Sequence, residues 1–108
     1  KGKMTGLSVR VPVACGSMID LTAQVKKRVS VEEVNRILRK ASQGKFKGIV
    51  EYSEDDLVSS DIIGNSYSAI VDSLSTQVTG NLVKVIAWYD NEFGYSNRVV
   101  DVIQKLGK

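Results

Sequence analysis

Histidine is absent from this 108-residue chain, cysteine and proline occur once each, and no apolar run nears membrane-spanning length. Each gap closes off a class of chemistry. Without histidine there is no imidazole to ligate zinc and none to act as base for a nucleophilic thiol. The single cysteine, Cys15, cannot form an internal disulfide, which fits a reducing compartment. One proline and nine glycines leave no low-complexity linker. A bilayer crossing takes roughly 20 apolar residues, and the N-terminus lacks the apolar core of a signal peptide, so a cytoplasmic protein away from membranes is expected.

What is present is ordinary globular composition, 43% hydrophobic and 25% charged, which argues against disorder. The length suits one domain or part of one, able to bury roughly 65% of its unfolded surface. The net charge of +3 raises the question of a nucleic-acid surface. Lys26, Lys27, Arg28, Arg36, Arg39, Lys40, Lys45 and Lys47 cluster, but Glu32, Glu33, Glu51, Glu54, Asp55 and Asp56 interrupt them. No aromatic side chains are interleaved to stack bases, so a solvated helix face is the reading adopted and nucleic acid is not an expected partner. An autonomous basic module that binds an anionic surface is the competing class. Its signature would be binding that weakens steeply with salt.

Along the chain, Leu7, Val9, Val11 and Val13 alternate with Ser8, Arg10 and Pro12, predicting a strand with Arg10 on the face away from the valines. Ile19, Leu21, Ala23 and Val25 repeat the pattern, and Ala14–Ser17 between the two suggests antiparallel neighbours. Ser30-Val31-Glu32-Glu33 reads as a capping box opening a helix whose buried stripe is Val31, Val34, Ile37, Leu38 and Ala41, with Gly44 as a left-handed terminator. Short strands follow at 47–52 and from Leu57, then one long or two broken strands over 68–78, with a turn at Thr79-Gly80-Asn81. The run Leu82–Tyr89 is apolar at both parities apart from Lys84, as in a strand covered on both faces in mid-sheet. Tyr95, Val99, Ile103 and Leu106 mark a terminal helix. Five to seven strands against two helices give an α+β fold with an antiparallel or mixed sheet and helices packed on one face. There is no internal repeat, no GxGxxG and no P-loop.

The densest stretch is Trp88-Tyr89-Asp90-Asn91-Glu92-Phe93-Gly94-Tyr95-Ser96, which joins that central strand to the last helix. A rigidly held Asn91 offers an acceptor and two donors, suited to reciprocal pairing with a carboxamide. Alternatively, it is an Asn/Asp turn bonding its own backbone. Arg10 offers a planar fork matched to phosphate oxygens, or else pairs with a surface carboxylate. Trp88, in an apolar strand, reads as core.

The stretch Val83–Asp101 resembles the C-terminal signature of the phosphorylating glyceraldehyde-3-phosphate dehydrogenase family. Arg10-Val11-Pro12-Val13 and Leu57-Val58-Ser59-Ser60-Asp61 resemble family motifs in the same order and at similar spacing. The resemblance covers this whole chain but only about the last third of the family's length. It implies a partial catalytic domain over 1–108, with 94–107 as the C-terminal helix and the dinucleotide-binding domain absent. Arg10 would line the pockets for substrate phosphate and inorganic phosphate. Asn91 would hold the nicotinamide carboxamide of NAD, with NADP not excluded, and Tyr95 would pack beside the ring. No catalytic residue and no metal ligand is expected. Val13-Ala14-Cys15-Gly16-Ser17 does not match the family's Ser-Cys-Thr-Thr-Asn nucleophile, so Cys15 is expected to be an incidental turn cysteine. The parent would be a glycolytic homotetramer with sheets facing one another between subunits, acting on a small phosphorylated aldehyde. The isolated chain is then expected to be inactive. Erythrose-4-phosphate dehydrogenase, a sister activity, is the nearer alternative.

Overall fold

The computed structural model describes residues 2–107. Four strands form one mixed sheet in the order β1-β4-β3-β2: β1 is Ser17–Gln24, β2 Val50–Ser53, β3 Ala69–Thr79 and β4 Leu82–Tyr89. Helix α1, Val31–Gln43, packs against β2 and β3, and helix α2, Phe93–Leu106, leaves the end of β4. β4 pairs antiparallel with both neighbours, and β2 runs parallel to β3. The uniformly apolar strand is therefore central, as its two-faced pattern requires.

Register divides the core between two faces. Ile70, Asp72, Ile86 and Trp88 share one, while Val71 and Val83 share the other with Ile19 and Leu21. Ile70, Val71, Val83 and Ile86 are buried, and Ile62, at 1% exposure, anchors a short 3-10 turn, Ser59–Ile62, beside β4. This turn lies in the crossover from β2 to β3, which is long because parallel strands cannot be joined by a hairpin. The β3–β4 connection is a two-residue hairpin in which Gly80 has φ 65° and Asn81 stays at negative φ. That combination is the type II′ geometry, with glycine at its first central position.

Polar residues within β3 create its irregularity. Between Asp72↔Ile86 and Gln77↔Lys84 the register shifts, giving a bulge. The buried Asp72 carboxylate accepts from Ser75 N (3.1 Å), Ser75 Oγ (2.9 Å) and Trp88 Nε1 (3.2 Å). From α1, Asn35 donates to Ser73 O (3.0 Å) and accepts from Thr76 Oγ1 (2.8 Å), which registers the helix against the bulge. Of the one long or two broken strands read over 68–78, the structure has one, Ala69–Thr79, with a bulge inside it.

The capping box forms as expected, with Glu33 N donating to Ser30 Oγ (3.2 Å) and Ser30 N to Glu33 Oε2 (2.9 Å). Several expectations are corrected. Residues 7–13 form no strand: they pair with no neighbour, and Val13 N donates to Val11 O (2.9 Å) in a tight turn at Pro12, so β1 takes β4 as its neighbour. Residues 57–63 are not a strand because Asp61 Oδ2 accepts from Val58 N (2.8 Å), which curls Ser59–Ile62 into the 3-10 turn. The sheet has four strands, with β2 beginning at Val50. Gly44 ends α1 at φ −116°, outside the left-handed region. The buried side of α1 is rotated toward Asn35 and Ser42, leaving Ile37 60% exposed. The stripe on α2 faces outward, with Tyr95 73% and Leu106 82% exposed.

Because the box satisfies two N–H groups at the start of α1, Ser30→Ala is expected to cost about 1 kcal/mol in urea unfolding. A cost indistinguishable from zero would mean that packing on β3 alone fixes the helix start.

Candidate functional site

The site lies where β4 ends, β1 begins and α2 starts. Antiparallel pairing of Ser17 with Tyr89 closes the β1–β4 ladder, so Cys15–Ser17 lie beside Asp90–Glu92. Asp90 organises this junction. Its carboxylate is buried and accepts from Phe93 N (2.7 Å), Glu92 N (2.9 Å) and Gly64 N (2.9 Å). The bonds to the second and third residues onward, both to Oδ1, close an Asp turn that leads into α2, and the bond from Gly64 to Oδ2 ties the β2–β3 crossover to the same carboxylate. Backbone donation from Phe93, then Gly64, then Glu92, lowers its pKa from 3.8 to about 2. Asp90 was not singled out from the sequence, although an aspartate just before a helical pattern is a recognised turn signal.

Asn91 follows directly and points back across the ladder. Its Oδ1 accepts from Gly16 N (3.1 Å), and its Nδ2 donates to Ser17 Oγ (2.7 Å). Two of its hydrogen-bonding positions are engaged, leaving one N–H and one lone pair. Neither bond is to the turn's own backbone: both partners lie across the β1–β4 ladder, and half the hydrogen-bonding capacity of Asn91 is left over. Gly16 adopts φ 93°, and a Cβ there would meet Ser59 O at 2.7 Å. A Cβ on Gly94 would meet Tyr67 O at 2.5 Å, so only glycine lets the first turn of α2 approach the Tyr67–Ser68 backbone this closely.

The approach shapes a cavity of about 250 Å³ lined by Ser68, Tyr89, Asp90, Asn91, Gly94, Tyr95 and Arg98. The volume is below the roughly 300–1,000 Å³ of whole-ligand pockets, so it suits one ring of a larger molecule. Asn91 and Tyr95 are brought together here. Arg10 is not among the lining residues. It lies exposed on the unpaired segment and, among the described residues, makes no hydrogen bond or ion pair.

The Cys15 thiol lies 3.6 Å from Asp90 Oδ2, 3.8 Å from Glu92 Oε2 and 4.0 Å from Asn91 Oδ1. It is a junction residue that donates weakly to the Asp90 carboxylate. Cys15, Asp90 and Glu92 are grouped closely enough for a cation, but Asp90 is already committed to three backbone N–H groups, so the grouping is read as structural. A larger cavity of about 530 Å³ lies between the end of α1 and β2. There Arg39 pairs with Glu54 and stacks on Tyr52 at 4.9 Å, while Glu51 accepts from Asn65 (2.8 Å). Arg39 and Glu54 are therefore engaged with one another, and Glu51 with Asn65.

Acid should expose the role of Asp90. A folded pKa below the unfolded one means its stabilisation is present above about pH 4 and is lost as pH falls from 3.8 through about 2. Asp90→Asn is expected to flatten the acid-unfolding curve in that window while being less stable near neutrality. Parallel curves for the two proteins would assign acid sensitivity elsewhere.

The sequence was compared with known proteins. The family model described as glyceraldehyde 3-phosphate dehydrogenase, C-terminal domain, matches residues 1–91. The chain is 60% identical to the glyceraldehyde-3-phosphate dehydrogenase of Borreliella burgdorferi, over 100% of this chain and 33% of that protein. It is 55% identical to that of Priestia megaterium, over 98% and 32%. With glyceraldehyde-3-phosphate dehydrogenase 2 of Trichormus variabilis the identity is 55%, over 100% and 32%. The chain spans about a third of the length of the curated relatives it matches. Among the described residues, no helix is long and apolar enough to cross a membrane. With a matching family model over most of its length and relatives of this identity, the chain belongs to the glyceraldehyde-3-phosphate dehydrogenase C-terminal domain family.

Proposed function

We propose that the chain is the C-terminal part of the catalytic domain of an NAD-dependent phosphorylating glyceraldehyde-3-phosphate dehydrogenase and supplies its nicotinamide end. The observation that carries this is the meeting of Asn91 and Tyr95 on one small cavity in a chain of that family. The remaining N–H and lone pair of Asn91 match the carbonyl and N–H of a nicotinamide carboxamide, reciprocally. Tyr95, exposed at the cavity edge, packs beside the ring. When bound, the nicotinamide accepts the hydride. The protein's part here is to hold and orient it.

Arg10 belongs to substrate and phosphate binding in this reading. Its exposed position on an unpaired segment suits a cleft completed by other parts of the longer protein. The nucleophilic cysteine, its histidine base and the ribose contacts that choose between NAD and NADP lie in those parts as well. So does the surface that covers Ile19 and Leu21, which α1 leaves about half exposed, and the apolar stripe of α2. A homotetramer in the cytoplasm is the assembly proposed, with D-glyceraldehyde 3-phosphate and inorganic phosphate as substrates.

Two measurements test the reading. The isolated chain is expected to show no turnover of aldehyde, NAD and phosphate, and activity from it would overturn the assignment of nucleophile and base to other segments. In the full-length protein, Asn91→Asp keeps an acceptor for Gly16 N, and the Ser17 hydroxyl can turn to donate. It nevertheless removes the amide donor. One lost hydrogen bond at about 1.4 kcal/mol is a tenfold change, so the Kd for NAD is expected to rise about tenfold in a fluorescence titration. An unchanged Kd would refute the nicotinamide role. Turnover of erythrose 4-phosphate in preference to the triose would favour the sister activity.

A further inference from the structure

Tyr95 and Arg98 form one stripe on the first turns of α2, Asn91 lies in the turn just before the helix, and all three line the cavity. What fixes the rotation of that stripe is not the sheet. α2 leaves most of its apolar residues exposed, and its first turn rests on the Tyr67–Ser68 backbone through Gly94, a contact with no side chain to set an angle. Arg98 supplies the angle. Its Nε donates to Asp101 Oδ2 (2.7 Å) one turn further along the helix, which holds the guanidinium along α2. Its Nη1 reaches Ser66 O (3.3 Å) and Ser68 Oγ (3.4 Å) on the segment entering β3. One planar fork thus joins the helix to the loop on the far wall of the cavity, a task lysine, with one point of charge, cannot do in two directions at once.

We propose that Arg98 is a positioning residue for nicotinamide binding: it locks the first turn of α2 against Ser66 and Ser68 so that Tyr95 faces the cavity beside Asn91. This rests on the cofactor reading above. Without the lock, α2 pivots about Gly94 and the competent arrangement becomes a minor population. Apparent affinity then falls by that fraction, with the intrinsic contacts unchanged. Affinity for the phosphorylated aldehyde, which the proposed Arg10 contact serves, is spared.

The test uses the full-length protein with Arg98→Gln, Arg98→Lys and Asn91→Asp, probed with NAD by fluorescence titration and by amide hydrogen exchange over residues 92–97. Expected for Arg98→Gln is a roughly tenfold higher Kd for NAD, faster exchange in the first turn of α2, and a KM for the aldehyde within about twofold of the parent. Arg98→Lys should fall between, because it keeps one of the two connections. If Asn91→Asp raises the Kd while Arg98→Gln does not, the positioning role fails and the cofactor reading stands. If Asn91→Asp leaves the Kd unchanged, the cofactor reading fails and the proposal falls with it. An equal rise in Kd and aldehyde KM, with a large drop in Tm, would make Arg98 a general stabiliser and overturn the proposal. Should Arg98→Gln not fold, Asp101→Asn loosens the same guanidinium more gently. A Kd rise of about threefold then supports the lock, and an unchanged Kd overturns it.

Discussion

One buried carboxylate sets the geometry of everything near the candidate site. Asp90 accepts backbone N–H groups from two directions, Glu92 and Phe93 ahead of it in the chain and Gly64 from the crossover. A charged acceptor taken from water needs such donors, and together they hold it ionised far below the ordinary range. The same bonds fix where the chain turns out of β4 and the position of the loop below it. Asn91 comes next in the chain, so its aim is set by Asp90.

The topology explains why the partners of this turn come from about 75 residues away. An antiparallel ladder that ends at Ser17↔Tyr89 must bring the entry to β1 beside the exit from β4. Gly16 and Gly94 then remove the two side chains that would push the segments apart, one against Ser59 O and the other against Tyr67 O. Sheet register places the segments side by side, glycine lets them close, and hydrogen bonds from Asp90 and Asn91 hold them. The small cavity is what remains where Tyr89, Tyr95 and Arg98 cannot fill the gap.

Features decided locally were legible in the sequence. The Ser30–Glu33 box, the mid-sheet place of Leu82–Tyr89 and the Gly80 turn follow from residues a few positions apart and form as read, although that strand is not covered on both faces. Features that need a partner were not. Alternation over Leu7–Val13 predicts a strand, but alternation states only that one face is apolar, and no neighbouring strand is available here to pair with it. The stripe on α2 is likewise real as a pattern and exposed as a surface. Asn91 and Tyr95 were legible as site candidates because the turn is dense in polar and aromatic groups. Asp90 was not legible in this way, because one of its three backbone donors, Gly64, comes from a distant crossover.

The hydrogen-bond capacity of Asn91 leaves room for the proposed ligand contact beside its structural place. A carboxamide has two donors and two acceptor positions. Bonds to Gly16 N and Ser17 Oγ engage one position of each kind and hold the group from behind. A free asparagine would lose side-chain freedom on binding an amide and would repay little of it with two neutral hydrogen bonds. Here that freedom is already lost on folding, and one donor and one acceptor position remain. On the proposed cofactor reading this favours binding, because a pre-oriented pair loses less on association than a mobile one.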